Sequence, residues 1–121
     1  GIYNQELLDN LRHYAHLYFH GHSVGGTNPS LLEAMGCRVL IAAHDNRFNK
    51  AILGPDALYF THSHQVCKLL DQDQDPAGAQ AMIEANADKI RNTYSWDKIS
   101  GEYLSFLQSI YEQKLMLNYQ A

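Results

Sequence analysis

The residues best suited to chemistry lie in one segment, His20-Gly-His-Ser-Val-Gly-Gly-Thr-Asn-Pro-Ser-Leu-Leu-Glu-Ala-Met-Gly36. Pro29 predicts the start of a helix there, with Thr27 or Asn28 as its cap. A loop that opens a helix directs free backbone N–H groups outward, and the helix dipole adds partial positive charge. The pattern therefore indicates an anion site suited to phosphate. A junction of this kind can also bind nothing, and the local pattern leaves both interpretations open.

Side chains near this loop could add to such a site. Gly25 and Gly26 permit a close approach of the backbone to a ligand. Glu33 falls one turn into the predicted helix, where a carboxylate can reach a sugar hydroxyl pair while the helix N-terminus holds phosphate. His20 and His22 can each donate a hydrogen bond to phosphate or sugar at neutral pH.

The seven histidines also raise the question of a metal. His20 and His22 alternate along the chain, as do His62 and His64, and two such pairs could in principle ligate zinc. However, the sequence contains no Cys-x-x-Cys or His-Glu-x-x-His pattern, so we predict no metal site. Two cysteines are too few for a disulfide framework, which favours a reducing, cytoplasmic setting.

The elements around the loop alternate between helices and strands. Apolar runs at 17–19, 39–42 and 58–60 predict three short strands. Helices are predicted to begin after Asn4, at Pro29, after Asp45 or Asn46, after Ser63, at Pro76 and after Ser95. This order predicts a parallel sheet, in which the loop lies at the carboxyl ends of the strands, where ligands bind. The expected fold class is α/β, a three-layer Rossmann-like half-domain with about three strands and C-terminal helices.

Bulk properties limit the function classes. The 121 residues suffice for one domain, and the net charge of −4 argues against broad binding to nucleic acid or to an anionic membrane. No apolar run approaches the roughly 20 residues of a membrane-spanning helix. The chain opens with Gly1 rather than Met, which suggests that upstream residues were removed.

The exact amino-acid sequence of the loop is more informative about function than its general strand–loop–helix pattern. The segment 26–36 resembles the donor-site motif of the family 4 (group 1) glycosyltransferases. The fuller segment 20–33 is similar to the variant in a bacterial rhamnosyltransferase-like subgroup. The resemblance continues through Asp45-Asn-Arg-Phe-Asn49, Ala57-Leu-Tyr-Phe60 and Tyr94-Ser-Trp-Asp97, and so covers nearly the whole chain.

This resemblance implies a GT-B fold, in which two Rossmann-like domains face a cleft and the C-terminal domain binds the donor. Family members transfer a sugar from a nucleotide-diphosphate donor with retention, without a catalytic metal. By the same resemblance, Glu33 contacts the donor ribose, and backbone amides near Asn28, Ser30 and Leu31 hold the diphosphate. The implied donor-binding set is Glu33, Gly25, Gly26, Thr27, Asn28, Ser30, Leu31, His20, His22 and Ser23.

The chain departs from the family at one position and covers only part of the enzyme. Many members carry a second glutamate where this chain has Gly25, so the family's sugar contact is missing there, and we expect His20, His22 or Ser23 to substitute for it in part. Residues 1–121 correspond to part of the C-terminal domain, without its first strands and without the N-terminal acceptor domain. The resemblance implies transfer of a hexose or deoxyhexose to a glycan or lipid-linked acceptor in surface polysaccharide synthesis. We expect the chain alone to be inactive, and the full enzyme to be cytoplasmic or peripheral to the inner membrane face.

Two other functions are consistent with the sequence. If the strand at 17–19 normally pairs with a missing strand, its open edge could recruit a second copy, giving a non-catalytic, self-associating module. A stand-alone nucleotide-binding regulator is a third option. We expect four aromatic side chains to pack in the core or against another domain: Trp96, Tyr103, Phe106 and Tyr111. The resemblance implies that the last helix returns towards the N-terminal domain, which would leave some of these side chains on the surface of this chain.

Overall fold

Three short strands form one parallel sheet. The computed structural model describes residues 1–119, of which 117–119 are described by their backbone alone. The strands are β1 (Tyr18–His20), β2 (Ile41–His44) and β3 (Leu58–Phe60), and their order in the sheet is β1-β2-β3. Both pairings are parallel, so β2 is central and β1 and β3 are edges. The predicted α/β class with a short parallel sheet is confirmed.

Helices occupy most of the remaining described chain. They are α1 (Gln5–His13), α2 (Pro29–Gly36), α3 (Arg47–Leu53), α4 (Ser63–Asp71), α5 (Pro76–Asn92) and α6 (Trp96–Tyr119). Several predicted caps are confirmed, because Asn4, Asn28 and Asn46 each accept a hydrogen bond from a backbone amide of the first turn. These short polar side chains satisfy amides that would otherwise lack a partner.

Several predicted boundaries are wrong. Strand β1 spans Tyr18–His20 rather than 17–19, and β2 ends at His44 rather than at residue 42. Strand β2 begins at Ile41 rather than Val39, because Val39 and Leu40 are buried while the first register pair joins Ile41 to Tyr18. An apolar run in the sequence indicates which residues are buried, but it does not indicate the residue at which strand pairing starts. Helix α4 is capped by His62 rather than Ser63, and the Gln65 side chain accepts from the His62 amide at 3.1 Å.

The core lies around β2 and α2. Strand residues 41–43 are completely buried, as expected for a strand with neighbours on both sides. Leu31 and Met35 of α2 pack into the same cluster, and α5 lies against α2. The buried Asn86 side chain ties α5 to the turn before β3 by donating to the carbonyl of Asp56 at 2.6 Å.

Helix α6 exposes most of its apolar side chains and contributes little to the core. Every side chain from 100 to 116 is exposed. Trp96 is 86% exposed, Tyr103 67%, Phe106 61% and Tyr111 65%, so none of the four packs in the core, and their packing against another domain stays a prediction. Helical spacing shows that residues share a face but not what covers that face. Within residues 1–119, no helix is long and apolar enough to cross a membrane.

Candidate donor-loop site

A cavity lies where the loop after β1 meets the start of α2. Its volume is about 120 Å³. Because one water molecule needs about 10–15 Å³ of such space, the cavity has room for a group the size of phosphate. Its lining is His20, His22, Val24, Gly25, Gly26, Thr27, Asn28, Pro29, Phe48 and Asn49. Six of the ten predicted donor-site residues therefore meet at one cavity.

His20 is the least accessible polar group of this cavity. It ends β1, the residue is only 2% exposed, and its Nε2 has no hydrogen-bond partner. Among the described residues, no other buried side-chain nitrogen or oxygen lacks a partner. Buried polar atoms are nearly always bonded, so an unpartnered ring nitrogen on a residue of the cavity lining indicates a place for a ligand or water. Burial lowers the pKa of His20, and nearby His22 lowers this pKa further.

The loop is held in place by side chains of the α3 start. The rings of His20 and His22 stack with centroids 4.8 Å apart. The His22 carbonyl accepts from the Asn46 side-chain amide at 2.9 Å and from that of Asn49 at 3.1 Å. Asn49, which is 4% exposed, also donates to the carbonyl of His44 at 2.9 Å. Sequence reasoning missed the anchoring role of Asn49, although a polar residue on an otherwise apolar helix face was a usable signal.

The first turn of α2 is already satisfied by its own cap. Asn28 Oδ1 accepts from the Ser30 amide at 3.0 Å and from the Ser30 hydroxyl at 2.8 Å. The Leu31 amide donates to the Asn28 carbonyl at 3.0 Å, and the Leu31 side chain belongs to the core. Within the described chain, the amides of residues 25–28 make no hydrogen bond. The free donors thus lie in the loop, one step earlier than the amides of Ser30 and Leu31.

Glu33 lies outside the cavity. Its Oε2 accepts from Arg12 Nη2 at 2.6 Å, and its side chain is 44% exposed. The Arg12 side chain is 9% exposed and also contacts Asp9 at 3.2 Å. Burial lowers the pKa of Arg12, but its bond to Glu33 reverses the effect, so that the pKa is raised. Glu33 faces α1 across an open depression that it shares with His13 and other residues of that helix.

The charge of the cavity is unusual for an anion site. No Lys, Arg, Asp or Glu lines it. The guanidinium of Arg47 lies 4.7 Å from the centroid of the ring of Phe48, which is a lining residue. Ser23, predicted as a sugar contact, is exposed and does not line the cavity. Over residues 1–119, no group of three or more His, Cys, Asp or Glu side chains could hold a metal ion.

No protein-family model, no curated protein and no solved structure matches this chain.

Proposed function

We propose that this chain binds the nucleotide-diphosphate-sugar donor of a retaining GT-B glycosyltransferase. One observation carries the proposal. A buried histidine with an unpaired ring nitrogen lines a phosphate-sized cavity at the junction of β1 and α2. In open parallel sheets, ligands bind at the carboxyl ends of the strands, which is where this cavity lies. The resemblance of segment 20–36 to the family's donor motif supplies the substrate class.

The diphosphate would be held by the loop rather than by the first turn of the helix. The amides of residues 25–28 are free donors. Gly25 has a φ of +124°, a backbone conformation that glycine adopts readily and other residues rarely adopt. His20 and His22 add ring N–H groups at the cavity wall. The dipole of α2 adds favourable potential for a negative group in front of its first residue, Pro29.

The ribose would then reach Glu33 along α2. Glu33 lies four positions after Pro29 in α2, a rise of about 6 Å, which is within the span of a diphosphate and ribose. Arg12 holds one carboxylate oxygen of Glu33 and so orients the group. The other oxygen, Oε1, makes no hydrogen bond in the described chain and can accept one from a ribose hydroxyl.

The same donors would assist the reaction. Cleavage of the sugar–phosphate bond leaves negative charge on the diphosphate, and preorganised N–H donors stabilise that charge most strongly in the transition state. In a GT-B enzyme the acceptor site, and with it the general acid or base, would lie in a second domain, so we expect this chain alone to bind donor without transferring the sugar. The full enzyme would act in the cytoplasm on a glycan or lipid-linked acceptor of a surface polysaccharide.

A titration tests the proposal. The isotope-labelled chain is titrated with UDP, GDP and dTDP while backbone amide shifts are followed. We expect saturable shifts that are largest at residues 25–28, and the order of affinities would identify the base. If none of the three ligands causes a saturable shift at millimolar concentration, the chain is not a donor-binding unit.

Self-association is the second candidate function. Strand β1 is an edge of the sheet, and its residues Tyr18 and Phe19 are only partly buried. An open edge can pair with the same edge of a second copy. Sedimentation at high protein concentration distinguishes the two functions, because a strictly monomeric chain excludes a dimer along β1 while leaving donor binding intact.

A further inference from the structure

The cavity between the loop after β1 and the start of α2, called here the donor-loop cavity, has two titratable groups and no Lys, Arg, Asp or Glu in its lining. Those groups are His20 and His22. A phosphate that enters such a cavity is held by dipoles alone unless one of the two imidazoles takes up a proton. In a partly buried site, a full positive charge attracts an anion far more strongly than a neutral donor does. The source of charge is therefore a proton from solvent rather than a Lys or Arg side chain.

His20 is the better placed of the two histidines. Its ring is the more deeply buried, and its Nε2 has no partner among the described residues. The rings are stacked at 4.8 Å, so protonation of both at once is opposed by repulsion. Burial and the presence of His22 lower the pKa of His20, so that its ring is neutral at pH 7 in the free chain.

The groups around His20 do not favour an imidazolium before a ligand arrives. On β1, the Tyr18 ring lies 6.4 Å away. On β2, the register partner is Ala43, followed by His44. From α3, the cavity receives the uncharged Phe48 and Asn49. From the loop and the start of α2, its remaining lining is Val24, Gly25, Gly26, Thr27, Asn28 and Pro29. No Asp or Glu belongs to the lining of the cavity, so the ligand itself must stabilise the charge of an imidazolium.

We propose that phosphate binding in the donor-loop cavity is coupled to proton uptake by His20, so that the chain binds the donor diphosphate more tightly as the pH falls. This inference rests on the proposed function, since it assigns the charge source of the same site. Linkage gives the sign. An anion that raises the pKa of His20 must itself bind more tightly to the protonated chain.

Sulfate is the probe, because it remains a dianion throughout the titration range of histidine and contributes no pH dependence of its own. The ring protons of the histidines are followed by NMR from pH 5.5 to 8, with and without saturating sulfate. We expect sulfate to raise the pKa of His20 by about one unit and to bind about tenfold more tightly below the titration than above it. Binding of UDP-glucose, whose phosphates also do not titrate in this range, is expected to follow the same trend.

Two variants make the test specific. His20→Gln keeps a side-chain amide donor but cannot take up a proton, so sulfate should still bind with an affinity that no longer depends on pH. His64→Gln is the matched control, because His64 also stacks on a histidine, at 5.9 Å, and lies outside the cavity. This control should retain the full pH dependence. If His20→Gln does not fold, the shift of the His20 ring signal in the unaltered chain decides the question.

The outcomes separate the two proposals. Binding of sulfate and UDP-glucose that is equally tight at every pH overturns proton coupling and leaves the donor site in place. A pH dependence that persists in His20→Gln also overturns it. An absence of binding by both ligands at every pH refutes the donor site together with its coupling.

Discussion

Removing the carboxylate of Glu33 should separate two roles of that side chain. The Glu33→Ala variant deletes the closer of the two carboxylate partners of Arg12, at 2.6 Å, and leaves the contact with Asp9 at 3.2 Å. If Glu33 also accepts a hydrogen bond from ribose, the same variant loses affinity for nucleotides. The two effects are measured independently, by denaturation and by ligand titration.

The stability change can be estimated from burial. A hydrogen bond to a charged group contributes about 1.5–3 kcal/mol, and the solvent exposure of Glu33 reduces this value. Because Arg12 keeps one partner, we expect a loss of about 1–2 kcal/mol in the free energy of unfolding, measured with urea. Glu84→Ala is the matched control. It breaks the pair of Glu84 with Arg38, in which both side chains are about 40% exposed, and should cost about 0–1 kcal/mol.

The binding change distinguishes ribose from phosphate. Loss of one carboxylate–hydroxyl bond of about 1.5–3 kcal/mol weakens UDP binding by roughly 10- to 150-fold. Pyrophosphate has no ribose, so its affinity should be the same for Glu33→Ala, Glu84→Ala and the unaltered chain. An unchanged affinity for UDP would remove Glu33 from the site. An equal loss for both ligands would show that the variant disturbs the loop instead of a ribose contact.

Three further perturbations follow from burial and titration. Since the pKa of His20 is lowered in the folded chain, the unfolded chain binds more protons below about pH 6.5, and stability should fall on acidification by at most about 1.4 kcal/mol per pH unit. Urea denaturation at pH 7.5 and 5.5 checks this, and His20→Gln should show a shallower slope. Asn49→Ala leaves the carbonyl of His44 without that donor and should cost about 1–3 kcal/mol, with amide shift changes concentrated in the loop. Phe106→Ser lies on the exposed face of α6 and should change the unfolding free energy by less than about 0.5 kcal/mol; a larger loss would mean that α6 packs against something in solution.

Much of the fold follows from short-range chemistry. Asn4, Asn28 and Asn46 cap helices because their side chains reach the backbone amides two or three residues later. Pro29 and Pro76 begin helices because the first helical position needs no amide hydrogen. The order of strands and helices then requires a parallel sheet, and so the loop that follows β1 could be placed at its carboxyl edge from the sequence.

Contacts between segments that are distant in the sequence could not be predicted from these short-range preferences. Arg12 and Glu33 are 21 residues apart, and their pairing depends on how α1 packs against α2. The predicted donors Ser30 and Leu31 are engaged by Asn28, because the turn geometry places its Oδ1 and carbonyl close enough to both amides. Local pattern indicates which groups are near one another along the chain, but not which partner each group takes.

The sequence by itself determined the α/β class, the strand order along the chain and the loop that carries the candidate site. Only the tertiary structure decided that His20 is buried without a partner, that Asn49 fixes the loop and that the apolar residues of α6 are exposed. The physical reason is the distance along the chain over which each kind of interaction acts. Capping and helix or strand preference act within a few residues, whereas burial and hydrogen-bond partnership depend on segments that meet only after the chain has folded.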